Sequence, residues 1–263
     1  MNRNHYKIIE VDNIKYLNFP ILNEFQIKHC FTTSDIKFHK FEENLITLKC
    51  YEELFHNFKM NNNEHFFTSQ VHSDHIEIVS NKNKNAMPSE LNLGHYFEDC
   101  DGLITSDPNK TLVTKFADCT PIVLYDKKNH CVANLHSGWR GTSKKIFIKA
   151  LQKMKLEFNS VAQDIIVVIG PCIGFSDFEV KQDVIDIFKT NYPDIDISLF
   201  YKVKDSVHYL FDMQGIIERA LLDYGILENN IYTSDISTYS SDIMHSFRKD
   251  ASDAGRMILA LSL

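Results

Sequence analysis

The stretch GLITSDPNKTLVTKFADCTPIVLYDKKNHCVANL, residues 102–135, decides the fold. Gly102–Thr105, Thr111–Phe116, Pro121–Tyr125 and Cys131–Leu135 are rich in β-branched and aromatic residues, and the turn signals Asp107-Pro108-Asn109 and Lys127-Lys128-Asn129 punctuate them. Four neighbouring strands are therefore expected at the centre of the chain. Outward from them, Tyr6–Ile9, Ile27–Thr33, Phe66–Gln70, Ile76–Val79, Ile165–Ile169, Val207–Phe211 and Met257–Leu261 also read as extended. Leu48–Met60 has helical spacing, with Tyr51, Leu54, Phe55 and Phe58 on one side. Thr142 is expected to cap a helix running to about Phe158, and further helices are expected over Lys181–Thr190 and over Asp212–Tyr224, stopped by Gly225. Asn81–Asn85 with Met87-Pro88-Ser89 reads as an exposed loop. The strands come in groups with helices interspersed, which favours α+β with mixed β-sheets over a doubly wound parallel sheet. Neither a repeat nor a Pro/Gly/Ser linker divides residues 1–263, so a single domain is expected.

Composition excludes several classes. Hydrophobic residues at 44% and charged residues at 24% are globular proportions. Thirty-five acids against 28 bases give a net charge of −7, which disfavours nucleic-acid binding because phosphate neutralisation needs clustered Lys and Arg. No run approaches the ~20 apolar residues of a membrane span. Glu10, Asp12 and Lys15 interrupt any signal-peptide core, so a cytoplasmic protein is expected. Six cysteines without a CxxC pair fit buried thiols, with room for one metal ligand or nucleophile.

Three segments set unusual polar residues at the ends of apolar strands: Ser69–Ser73, Lys115–Pro121 and Asn134–Thr142. Together they offer His72, Cys119 and His136, and a catalytic zinc usually takes three such ligands and leaves a fourth position open. The gaps of 47 and 17 residues match no zinc signature, so a buried thiol and two hydrogen-bonded histidines remain the plain alternative. His75 is a possible fourth ligand or a solvent-facing residue. His136-Ser137-Gly138-Trp139-Arg140-Gly141 is more specific: glycines permit a sharp turn, a helix start offers N–H groups to an anion, and Arg140 adds a permanent forked charge. The same run also fits a packing tryptophan beside a surface arginine. Asp118 is a ligand-orienting group, a general base or a turn aspartate.

These segments, in their order, resemble the YfiH-type family, long described as polyphenol oxidase or laccase-domain proteins. The resemblance rests on Gln70-Val71-His72, Asp101-Gly102-Leu103, Ala117-Asp118-Cys119-Thr120-Pro121, His136–Gly141, Gly170-Pro171-Cys172-Ile173, Phe178-Glu179-Val180, Asp212-Met213, Ser246-Phe247-Arg248-Lys249 and Gly255-Arg256-Met257. It implies a single α+β domain with mixed sheets between helices in αββα-like layers. It further implies a zinc ion on His72, Cys119 and His136, with purine nucleosides and phosphate as small-molecule substrates. The implied activities are phosphorolysis of adenosine, inosine, guanosine or methylthioadenosine, and deamination of adenosine. Asp118 and Arg140 are the catalytic candidates, and Gln70, Arg140 and Arg248 the substrate-binding ones. The chain departs from the family at Ser34–Ile46, where an Arg and a Gly-Gly-Val-Ser loop are usual, and at Phe116, Ser137, Asp235–Thr238 and Lys249. Three rival readings are a copper-dependent phenol oxidase, a metal-free cysteine hydrolase or amidase acting on a cell-wall precursor with Cys119 as nucleophile and His136 as base, and a binding protein that has lost activity.

Overall fold

A computed structural model describes residues 5–38, 45–80, 87–88 and 93–263. An eight-stranded mixed sheet has the order β1-β2-β3-β17-β9-β4-β7-β6. Its strands are β1 (Lys7–Val11), β2 (Ile14–Asn18), β3 (Lys28–Thr32), β17 (Met257–Ser262), β9 (Lys110–Phe116), β4 (Glu64–Thr68), β7 (His95–Phe97) and β6 (Met87–Pro88). A six-stranded sheet lies against it in the order β16-β12-β10-β11-β8-β5. Here β16 is Ile231–Thr233, β12 Ile165–Ile169, β10 Thr120–Asp126, β11 Cys131–Ser137, β8 Gly102–Thr105 and β5 Ile76–Ile78. A small third sheet joins β13 (Glu179–Lys181), β15 (His208–Phe211) and β14 (Tyr201–Val203).

The period-two alternation of the strands makes the layers. On β10, Ile122 and Leu124 face α4 (Ile146–Phe158), α5 (Gln182–Asn191) and α6 (Met213–Tyr224), while Val123 and Tyr125 face the other sheet. On β17, Met257, Leu259 and Leu261 enter the same inter-sheet core, while Ile258 and Ala260 pack against Tyr51, Leu54 and Phe55 of α2 (Leu45–Asn57). The result is helix, sheet, sheet, helix. Strands covered on both faces need no polar side, which is why β12 reads Ile-Ile-Val-Val-Ile. Full burial of each such side chain contributes roughly 1.5–3 kcal/mol.

One polar stitch crosses the inter-sheet core. Asn134 on β11, fully buried, accepts the Thr114 hydroxyl at 2.7 Å and donates to the Leu112 and Leu259 carbonyls at 2.9 Å. A buried amide is tolerable only when so satisfied.

The structure differs from the sequence expectation in several places, and β7, β13, β14 and β16 are strands where none was expected. β2 and the short α1 (Pro20–Glu24) lie in a segment to which no element was assigned. The helix expected from Thr142 is two helices, α3 (Trp139–Ser143) and α4, broken at Lys145 in a left-handed conformation (φ 59°). Thr142 is therefore no cap; it sits inside α3, its hydroxyl 2.7 Å from that of Ser137. Of the expected loop, residues 81–86 and Ser89 lie outside the described residues, and Met87–Pro88 pairs with β7. No helix among the described residues is long and apolar enough to cross a membrane.

Candidate metal centre and cavity

Sheet register carries the predicted ligands to one rim. Thr120 pairs with Ser137 and Pro121 with His136, so Cys119 at the entry to β10 stands beside the end of β11. β11 pairs Leu135 with Gly102, and β5 pairs Ile76 with Gly102, which brings Asp101 and the 71–75 corner to the same end. One candidate ligand atom from each of His72, Cys119 and His136 falls within 4.8 Å of the others. The Cys119 Sγ lies 3.7 Å from His72 Nδ1. Zinc–sulfur and zinc–nitrogen bonds of ordinary length at a tetrahedral angle place the two donors roughly 3.6 Å apart. His136 is buried and the other two are half-buried. Among the described residues this is the one group of three or more metal-capable side chains.

Asp101 organises all three segments. Its fully buried carboxylate accepts His136 Nδ1–H at 2.8 Å, leaving His136 Nε2 as the free donor atom. It also accepts the backbone N–H groups of Val71, His72 and Ser73 at 3.2, 3.1 and 2.6 Å, and the Ser73 hydroxyl at 2.7 Å. These bonds hold His72 at φ 60°, a left-handed conformation that a non-glycine residue keeps only when its surroundings impose it. Burial works against the Asp101 carboxylate, yet His136 and Ser73 outweigh it and hold its pKa low. The same balance governs Cys119: burial pushes the thiol up, but His136 and His72 bring it down to about 6. Burial lowers His136, and Cys119 with Asp101 raise it to about 9. A Cys119 thiolate and a His136 imidazole that yields its Nε2 proton to the ion are what a borderline-soft divalent metal takes, so the residues fit such an ion.

The glycines of the His136–Gly141 run serve close approach, not a sharp turn. Gly138 has φ −70°, and a Cβ there would stand 2.7 Å from His72 Nδ1 and 2.9 Å from Cys119 Sγ. At Gly141 it would meet the Ser73 carbonyl at 2.9 Å. The five-residue α3 is too short to offer the extended helix start that the sequence suggested.

A cavity of about 570 Å³ opens over the three ligands. Arg140, exposed, lies over the Trp139 ring at 4.3 Å on its wall. Arg248, also exposed, donates from Nη1 to the Glu179 carbonyl at 3.1 Å. Asp118, at φ 79°, accepts the Thr238 hydroxyl at 2.6 Å and the Arg248 backbone N–H at 2.6 Å, and so fixes the turn that carries Cys119. Gln70 lines the cavity with its amide paired to the Lys115 backbone, donating at 2.6 Å and accepting at 2.9 Å. His75 faces away, exposed and 3.0 Å from Glu77. Two contributors escaped the reading of roles from sequence. Asp101 stood in a quoted motif with no function attached, and its position before the first central strand was the only signal. Arg256 likewise stood only in the quoted Gly255-Arg256-Met257 run, and the register Met257↔Phe116 brings it to this rim.

The family model described as multi-copper polyphenol oxidoreductase laccase matches residues 26–263. The chain belongs to this family. It is 30% identical over 193 residues to a Staphylococcus saprophyticus protein named purine nucleoside phosphorylase SSP1584, covering 73% of this chain and 70% of that one. It is 31% identical over 164 residues to a Bacteroides thetaiotaomicron protein named purine nucleoside phosphorylase, and the match spans 60% of that protein's length and 62% of this chain. Among solved structures, the hypothetical protein YfiH of Bacillus licheniformis superposes with a TM-score of 0.86 at 25% identity over 99% of both chains. YlmD from Geobacillus stearothermophilus gives 0.87 at 21% identity over 98% of both, a likeness of fold.

Proposed function

We propose that this protein is a zinc-dependent purine nucleoside phosphorylase that also deaminates adenosine. The observation that carries the proposal is the convergence of His72, Cys119 and His136 under one cavity lined by arginines, in a chain whose relatives bear the phosphorylase name. Two imidazoles and a thiolate with a fourth position open suit zinc, and a multicentre copper oxidase needs more histidines than the one group of three found among the described residues. When bound, zinc supplies a Lewis acid that polarises an oxygen at neutral pH.

In phosphorolysis an oxygen of phosphate bonds to C1′ as the C1′–N9 bond breaks, its electron pair leaving with the purine. The chain's task is to hold the anion against C1′ and to steady the departing base. Arg140 and Arg248 supply cationic forks at the cavity wall, Gln70 fixes the wall beside them, and Asp118 keeps the Cys119 turn in place. In deamination water adds at C6 and ammonia leaves, a reaction other zinc enzymes perform on the same ring position. The six unpaired cysteines and the net charge of −7 support a cytoplasmic location and small-molecule substrates, not nucleic acid.

The test is chromatography of inosine, guanosine, adenosine and methylthioadenosine incubated with protein as isolated, with and without phosphate. Free base appearing only with phosphate, and ammonia from adenosine, are expected. Base release independent of phosphate, or none, contradicts the proposal.

One observation favours a second reading. Cys119, His136 and Asp101 stand in the order nucleophile, base, orienting carboxylate, and the thiol is already lowered to about 6. That is the arrangement of a cysteine hydrolase or amidase. Stoichiometric zinc removes this reading, because a Cys119–metal bond leaves no free nucleophile.

A further inference from the structure

We infer that Arg256 forms the inner anchor of the phosphate subsite, between the metal centre and the aromatic wall of the cavity. The inference rests on the phosphorylase reading above and deepens it by assigning the co-substrate a place.

Of the three arginines that line the cavity, Arg140 and Arg248 are exposed and Arg256 is half-buried. Its backbone is pinned: its N–H donates to the Phe38 carbonyl at 2.7 Å and its own carbonyl accepts from Phe38 at 3.3 Å. Its side chain is pinned as well. Nη1 donates to the Ala254 and Gly255 carbonyls at 2.9 and 3.0 Å, and the guanidinium lies over the Phe247 ring at 5.3 Å. These contacts fix the fork and use one nitrogen; among the described residues Nε and Nη2 have no hydrogen-bond partner and so can take a ligand.

Charge balance gives the ligand its sign. Among the described residues no carboxylate lies within ion-pair distance of Arg256, while Lys110, Lys149 and Lys204 each have one. Taking a cation partly out of water without a counter-ion is unfavourable, and an anionic ligand is the usual compensation. The acidic groups that act on Arg256 are Cys119 and Asp118. Asp118 is held by Thr238 and the Arg248 backbone, and Cys119 is a proposed metal ligand. Neither is free to turn to the guanidinium. A tetrahedral oxyanion seated there would be gripped through two N–H groups of a rigid fork, the geometry in which arginine recognises phosphate.

The fit is specific to the inner position. Arg140 stacks on Trp139 at the open edge, and Arg248 is tied to the Glu179 carbonyl. Both supply charge from the open side, and the anion's anchor lies deeper, where the surroundings are drier and each charge-assisted bond is stronger.

The test is calorimetric titration of the protein as isolated with inorganic phosphate, using wild type, Arg256→Gln and Arg256→Lys, with phosphate and nucleoside KM measured in parallel. The inference predicts that Arg256→Gln raises the phosphate Kd and KM by about tenfold or more, as loss of a charged hydrogen-bond donor does. Metal content and nucleoside KM should hold within about twofold, and Arg256→Lys should fall between the two. Unchanged phosphate affinity in Arg256→Gln, or no measurable phosphate binding to wild type, overturns the assignment. If Arg256→Gln fails to fold, Arg256→Lys decides: a several-fold rise in phosphate Kd supports the assignment, and an unchanged value overturns it. Arg256-dependent phosphate binding without phosphorolysis keeps the subsite and rejects the phosphorylase reading. Phosphorolysis that ignores the loss of Arg256 does the reverse.

Discussion

The Asp101 carboxylate takes the Nδ1–H of His136 at 2.8 Å and, through the same two oxygens, the backbone N–H groups of residues 71–73. Two of the three proposed metal ligands are thereby aimed by one buried acid, although 29 and 35 residues separate it from them.

Asp101→Asn tests that dependence. An amide keeps the volume but turns one acceptor oxygen into a donor that faces N–H groups. Removing a partner of this kind costs about 10–100-fold in metal affinity, so competition with a chelator should show weaker binding by that factor. Affinity equal to wild type would show that the 71–73 corner and His136 hold their positions without the acid.

Gly138→Ala should release metal while leaving most of the fold in place. The new methyl stands 2.7 Å from His72 Nδ1 and 2.9 Å from Cys119 Sγ, so both ligands must shift from the positions that bring their donor atoms together. Gly225→Ala offers the contrast. Its φ of 105° makes alanine unfavourable by about 1 kcal/mol or more, while a Cβ there meets only ordinary contacts with Ala162 and Gln163 at 3.7 and 3.8 Å, so stability should fall and metal content should not. Metal analysis and melting curves of the two variants separate the effects.

How much of this was legible in the sequence follows from what is local. The central strands were readable because β9, β10 and β11 carry β-branched and aromatic runs between turn signals, and the ligands were visible as polar residues at the ends of those runs. Pairing is not local. β17 inserts between β3 and β9, and the uniformly apolar run Met257–Leu261 fits many neighbours equally well. Without that register Arg256 could not be placed beside Cys119. Lys145 looked like ordinary helix, because a left-handed residue with a long side chain has no propensity signature. The Ser34–Ile46 departure lies partly outside the described residues; Ile36 and Phe38 within it pack against α2.

The buried His29 predicts acid sensitivity. Its Nε2 accepts the Phe19 backbone N–H at 3.0 Å and its Nδ1 donates to the Ile27 carbonyl at 2.9 Å, so the folded protein holds it neutral, and burial brings its pKa down to about 4. The unfolded chain binds a proton below about 6.5 and the folded one does not. Stability from this group is therefore complete above pH 6.5 and is lost as pH falls from 6.5 to 4, by on the order of 3 kcal/mol in all and about 2 kcal/mol by pH 5. Urea unfolding at pH 7.5 and pH 5 should show this loss in wild type, and His29→Gln should remove about that much of the pH dependence. An equal dependence in both proteins would exclude His29 as its source.

Asn134→Leu probes the inter-sheet stitch. The substitution leaves the Thr114 hydroxyl without its Asn134 acceptor and removes the amide donor from the Leu112 and Leu259 carbonyls, so a loss of about 1–3 kcal/mol in urea unfolding is expected. A neutral or stabilised variant would mean that the two sheets need no polar link.

The most direct test of the whole account is metal analysis of protein purified without added metal, read together with alkylation of Cys119. The account predicts about one zinc per chain, a Cys119 that resists alkylation until chelator is added, and loss of both properties in His136→Ala. Metal-free protein that keeps its nucleoside activity and alkylates fully at Cys119 would contradict it.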